Sequence, residues 1–157
     1  MSKNTKLNLQ NFLPYRLTKL SGVISRSLAE RYSRQFDLSI HEWRVVAIIG
    51  ETPGLTARQV GKFASLDKVN ISRAIDKLEK NGRLQRKVMA HDRRAYSLEL
   101  TKTGEEILNK IVPLALEFEA KLMDGFSETE IGTIHTYLNK LDHRAEELVS
   151  IMKEGGE

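Results

Sequence analysis

The chain holds 157 residues, with 25 Lys and Arg, 21 Asp and Glu, and no cysteine. That length suits one domain of ordinary size, or a small domain with a helical arm. The lack of cysteine excludes disulfides, thiolate metal sites, cysteine nucleophiles and thiol redox sensing.

No apolar run approaches the roughly 18 residues of a membrane span. The opening segment Met1–Gln10 also lacks the apolar core of a signal peptide, so a cytoplasmic protein is expected. The net charge of +4 is unevenly distributed. Residues 1–57 carry 8 basic and 4 acidic side chains, residues 58–102 carry 12 and 5, and residues 103–157 carry 5 and 12. A basic middle of this kind suits a polyanion-binding module; a solvated charged surface is the plain alternative.

Glycine and proline are sparse and helical periodicity dominates. Leu13, Leu17, Leu20, Ile24, Leu28, Tyr32 and Phe36 recur at steps of three and four, the stripe of a long amphipathic helix. Ser39 and Glu42 form a capping box before an apolar helix that Gly50 can end. Thr56 and Gln59 open a short helix to about Phe63. After a break at Ala64–Leu66, Asp67 caps a helix over about 68–81, with Ile71, Ala74, Ile75 and Leu78 inward and Asn81-Gly82 as its stop.

The period then changes to two. Leu84, Arg86 and Val88, and after a polar turn Tyr96, Leu98 and Leu100, alternate as the strands of a hairpin. Thr103 and Glu106 form a third box, opening a helix through Ile107, Ile111, Leu114, Phe118 and Leu122, with a local kink at Pro113. Gly125 closes it. Ser127 and Glu130 open a last helix, whose seam Ile131, Ile134, Leu138, Leu141, Ala145, Leu148 and Met152 follows heptad spacing.

Two short helices at a tight turn, followed by a hairpin, predict a winged helix-turn-helix. The fold class is mainly α with a small β-hairpin wing, flanked by long dimerisation helices. The second short helix would enter the major groove, and Arg93 and Arg94 at the hairpin tip would reach the minor groove or phosphates. Asp92 pairing with Arg94 to hold the turn is the local alternative.

The run from Asp92 to Thr101 resembles the D-x-R-x-x-x-L-x-L-T wing signature of the MarR family of bacterial transcription regulators. Gly104 fits the glycine that opens that family's next helix. Leu66–Arg73 is similar to its recognition helix, and Leu78–Gly82 to its L-E-x-x-G ending. The resemblance implies a homodimer built from residues 11–37 and 103–153, with a winged DNA-binding domain over 38–102, the whole a single intertwined unit. Its interface would include Leu13, Leu17, Leu20, Leu138, Leu141 and Leu148. The stripes support this independently, since they exceed what one small lobe needs; an intramolecular bundle is the alternative. Two-fold symmetry predicts a near-palindromic operator with half-sites about one helical turn apart.

Carried over by position, the DNA contacts would be Val69, Asn70 and Arg73, with Lys68 and Lys77 near phosphates, Ser65 also at a phosphate and Arg93 on the wing. The resemblance further implies a small-molecule effector, an aromatic carboxylate or phenolic compound, that releases DNA. Leu13–Leu17 and Ile40–Val45 are similar to a subgroup repressing phenolic-acid (hydroxycinnamate) catabolism, which nominates Tyr15, Arg16, His41, Trp43 and Arg44. An Arg or His can pair with a carboxylate while Trp or Tyr stacks on a ring; equally, Trp43 can be core and Tyr15 can serve the dimer seam. His41, His91, His135 and His143 show no i,i+4 pairing, so no metal or cofactor is expected. No catalytic constellation reaches useful spacing, so no enzyme is expected. A non-sensing architectural DNA-binding or helical adaptor protein is the competing function.

Overall fold

The computed structural model describes residues 6–90, 92 and 95–154. The element order is α1 (Leu13–Phe36), α2 (Ile40–Glu51), α3 (Ala57–Ala64), α4 (Lys68–Lys80), β1 (Leu84–Val88), β2 (Tyr96–Leu100), α5 (Lys102–Leu122) and α6 (Glu128–Glu154), after a single 3-10 turn at Leu9–Asn11. The chain divides into two compact units between Ala115 and Leu116. Among the described residues no helix is long and apolar enough to cross a membrane.

Local chemistry explains where the helices begin. Ser39 Oγ accepts from Glu42 N–H. Thr56 and Gln59 form a reciprocal capping box. Asp67 accepts from Asn70 N–H at 2.8 Å, and Ser127 and Glu130 cap each other's backbone. Each bond satisfies an amide that the helix leaves without a partner.

Two expected boundaries move. Gly50 does not end α2, which continues to Glu51. A Cβ on Gly50 would come within 2.1 Å of Leu108 Cδ2, so this glycine makes room for α5. The helix α5 is capped not by Thr103 but by Thr101, whose Oγ1 accepts from Gly104 N–H at 3.1 Å and donates to Gly82 carbonyl at 2.6 Å. Thr101 does both because β2 delivers it beside the end of α4, a contact absent from the local pattern. The helix then runs unbroken through Pro113.

The first unit carries the core. Tyr32, Leu38, Val45, Val46, Ile49, Val60, Ile71, Ala74, Ile75, Leu78, Leu84, Leu98 and Ile111 form one buried cluster. Tyr32 and Trp43 meet ring to ring at 5.0 Å. The strands pair antiparallel with Leu84 opposite Leu100, Arg86 opposite Leu98 and Val88 opposite Tyr96. Leu84 and Leu98 are buried while Val88 and Tyr96 are exposed, so the hairpin runs outward from the core. The segment before α3 adds to this sheet: Thr56 bridges Ser97, and Leu98 N–H donates to Leu55 carbonyl at 2.8 Å.

The α1 stripe is covered only in part. Leu28, Tyr32 and Phe36 pack into or against the core, whereas Leu13, Leu17 and Leu20 are 46%, 37% and 53% exposed. Within the second unit Leu138 and Leu148 are exposed and Leu141 is half-buried.

Candidate nucleic-acid interface and effector cleft

The turn between α3 and α4 is made by Ser65, which takes the left-handed conformation at the C-cap of α3 (φ 52°). That geometry reverses the chain in few residues and sets α4 across the lobe. The inner face of α4, Ile71, Ala74, Ile75 and Leu78, is buried. The helix is therefore held by packing, and Lys68, Val69, Ser72, Arg73 and Lys80 are left in solvent. Val69 is 57% exposed, an apolar side chain that burial does not explain.

Of the expected DNA residues, Ser65, Lys68, Val69, Asn70 and Arg73 sit together at and after this turn. Among the described residues Lys68 and Arg73 have no ion-pair partner. Lys77 does: its ammonium lies 3.1 Å from the buried carboxylate of Glu42. Asn70 is also engaged, its Nδ2 donating to Asp67 Oδ2 at 2.6 Å. The hydrogen bonds from Asn70 hold the Asp67 carboxyl below its ordinary range. His91, Arg93 and Arg94 of the expected turn lie outside the described residues.

Three cations not singled out from the sequence flank α4. A groove of about 700 Å³ runs between α3, α4 and the hairpin, with Arg58, Lys62, Lys68 and Arg86 around an apolar floor of Ile71, Ile75 and Leu98. Arg86 is spent on structure, since it pairs with Asp76 and Glu79 of α4 and ties the wing to that helix. Lys87 likewise pairs with Glu99 across the hairpin. The local basic excess was the only sequence signal for Arg58 and Lys62.

The five expected effector residues separate. Trp43 and Arg44 line a cleft of about 460 Å³ together with Ser21, Ala47, Ile48, Phe63, Ala64 and Ser65. Arg44 donates to Ser25 Oγ at 3.2 Å, which steadies its guanidinium. Phe63, 67% exposed on α3, gives the cleft a second aromatic wall. Tyr15 and Arg16 lie exposed on the first turns of α1, and neither lines this cleft. His41 is half-buried, and its Nδ1 has no hydrogen-bond partner among the described residues. No group of three or more His, Cys, Asp or Glu among those residues is placed to hold a metal ion.

A tight helix-turn-helix with a paired wing behind the second helix defines a winged-helix domain of the kind that presents one helix to the major groove. Residues 36–95 match the MarR family model. The fold over nearly the whole chain agrees. A MarR/EmrR family transcriptional regulator from Acinetobacter sp. ADP1 is 23% identical, with a TM-score of 0.84 over 90% of this chain and 99% of that one. A MarR-family regulator from Silicibacter pomeroyi is 25% identical, with a TM-score of 0.75 over 85% and 90%. The PcaV transcriptional regulator from Streptomyces coelicolor, solved with its natural ligand, is 16% identical, with a TM-score of 0.73 over 90% and 99%. MarR-family transcription regulators are DNA-binding proteins and not enzymes.

Proposed function

We propose that the protein is a homodimeric, sequence-specific DNA-binding regulator of transcription. It acts in the cytoplasm as a repressor that leaves a near-palindromic operator when a small aromatic acid, or its CoA thioester, binds. The observation that carries the DNA reading is the outer face of α4. Lys68, Val69, Asn70 and Arg73 project from a helix whose opposite face is fully packed, and the turn at Ser65 sets them together. Arg and Asn can read base edges, Val69 suits a thymine methyl, and Lys68 and Ser65 suit phosphates.

Dimerisation through the long helices is supported by Leu13, Leu17, Leu20, Leu138 and Leu148, all exposed in the single chain. Such apolar rows remain in water only at a cost that a partner's surface removes. The effector reading rests on Trp43, Phe63 and Arg44 around one cleft. Two rings and a held guanidinium match an aromatic carboxylate. The ligand-bound PcaV structure adds support, since it has the same fold. The cleft also reaches Ser65, so an occupant would touch the turn that aims α4.

Fluorescence anisotropy with the chain's own upstream DNA and a scrambled duplex tests the reading. Preference for the upstream duplex at physiological salt, relieved by aromatic acids or their CoA esters, is expected. Equal affinity for both duplexes and indifference to every compound would instead identify a non-sensing architectural protein.

A further inference from the structure

Asn70 occupies the third position of α4, where α2, α3 and α6 place an acceptor. In α3 and α6 the residues at that position, Gln59 and Glu130, accept through their side-chain oxygens from the N-cap backbone N–H. In α4 the polarity is reversed. Asp67 Oδ1 accepts from Asn70 N–H at 2.8 Å, and its Oδ2 accepts from Asn70 Nδ2 at 2.6 Å. Both carboxylate oxygens are used on one residue, and among the described residues Asn70 Oδ1 has no hydrogen-bond partner.

An asparagine amide can ordinarily turn over, exchanging its donor and acceptor ends. Here the exchange would remove the Nδ2–Oδ2 hydrogen bond and set Oδ1, an acceptor, against an anionic oxygen, which strongly disfavours it. The amide is therefore oriented before DNA arrives, with its acceptor end turned from Asp67. In the major groove only the exocyclic amines, N6 of adenine and N4 of cytosine, offer hydrogen-bond donors.

We infer that Asn70 reads the exocyclic amine of an adenine or cytosine through Oδ1, with Asp67 acting as the positioning residue that prevents the amide from turning over. This rests on the DNA-binding reading above. Asn70 is then a specificity determinant of stated polarity, an acceptor, and its nitrogen serves the protein rather than the base.

The test begins with wild-type protein and a duplex selected from a random pool. Single bases are replaced by analogues lacking only the exocyclic amine, or lacking only purine N7. At one position per half-site, amine deletion is expected to weaken wild-type binding about tenfold. Asn70→Ala should lose that penalty at the same position. Asp67→Ser keeps a good N-cap but releases the amide. Its amine-deletion penalty should shrink, while its affinity for random duplex holds or rises as a negative charge leaves the DNA-facing turn. Adenine or cytosine at the sensitive position tells the two amine sources apart. Three results would overturn the inference alone: a larger penalty for N7 than for the amine, an amine penalty equal in wild type and Asn70→Ala, or one unchanged in Asp67→Ser. Failure of the wild type to select any sequence would overturn the DNA reading along with it.

Discussion

Lys77 on α4 places its Nζ 3.1 Å from Oε1 of Glu42, a residue of α2 that is only 3% exposed. Ser39 Oγ donates to the same oxygen at 2.8 Å, and Oε2 has no hydrogen-bond partner among the described residues. A charge joins α4 to α2, whose next two residues, Trp43 and Arg44, line the candidate effector cleft. Removing the cation strands a buried carboxylate. Lys77→Met should destabilise the protein by about 1–3 kcal/mol, less than a fully buried pair loses because Lys77 is half-exposed. Adding Glu42→Gln should recover part of that loss in urea unfolding, as expected of a coupled pair. Because the ammonium is engaged within the protein, Lys77→Met should leave the salt slope of duplex binding unchanged. A phosphate contact would lower that slope by about one.

Gly104 separates two kinds of crowding. A Cβ there would lie 2.0 Å from the Arg83 carbonyl oxygen, whereas at Gly50 the neighbour at 2.1 Å is the tip of the Leu108 side chain. Backbone cannot step aside as a leucine methyl can. Gly104→Ala should cost roughly 2 kcal/mol or more and Gly50→Ala distinctly less, measured by denaturant midpoint at constant slope.

Glu130 gives a pH test. Hydrogen bonds from Ser127, backbone first and hydroxyl second, hold its carboxyl below the ordinary range. A carboxyl depressed in the folded state adds stability above its unfolded pKa, and that stability fades as pH falls through the folded pKa. Glu130→Gln keeps an acceptor of the kind Gln59 supplies to α3 but cannot titrate. The variant should therefore lose less stability than wild type between about pH 5 and pH 2. Parallel losses would contradict the assignment.

The exposed seam of α6 makes the oligomeric state testable. Leu138 and Leu148 are 42% and 53% exposed. Replacing both with Glu should convert a species of twice the 17.9 kDa chain mass into single chains on sedimentation. Unchanged mass in the double variant would place the dimer contact elsewhere.

Much of the fold was legible because its determinants are local. Caps at Ser39, Thr56, Asp67 and Ser127, and the switch to period two at Leu84, fall within a few residues of what they specify. The errors arose where a distant group decided the outcome. Thr101 displaced Thr103 as a cap because β2 carries it to Gly82, and Gly50, which lies within α2, serves to make room for Leu108 and not to stop the helix. The candidate site followed the same rule. The outer face of α4 was readable from periodicity. That Trp43 and Arg44 would share a cleft with Phe63, while Tyr15 and Arg16 stood apart, depended on how α1, α2 and α3 pack. The engagement of Lys77 by Glu42 joins residues on different helices and left no trace in spacing.

The central claim is that α4 reads sequence, and Arg73 tests it most directly. It is exposed, has no ion-pair partner among the described residues and lies on the outer face of a packed helix. Affinities of wild type and Arg73→Ala should be measured at one salt concentration on the upstream duplex and on a random duplex. The account predicts that wild type prefers the upstream duplex, and that the variant loses roughly 1–3 kcal/mol of that preference while retaining most non-specific affinity. Equal affinity of wild type for both duplexes, or a variant whose discrimination is unchanged, would contradict it.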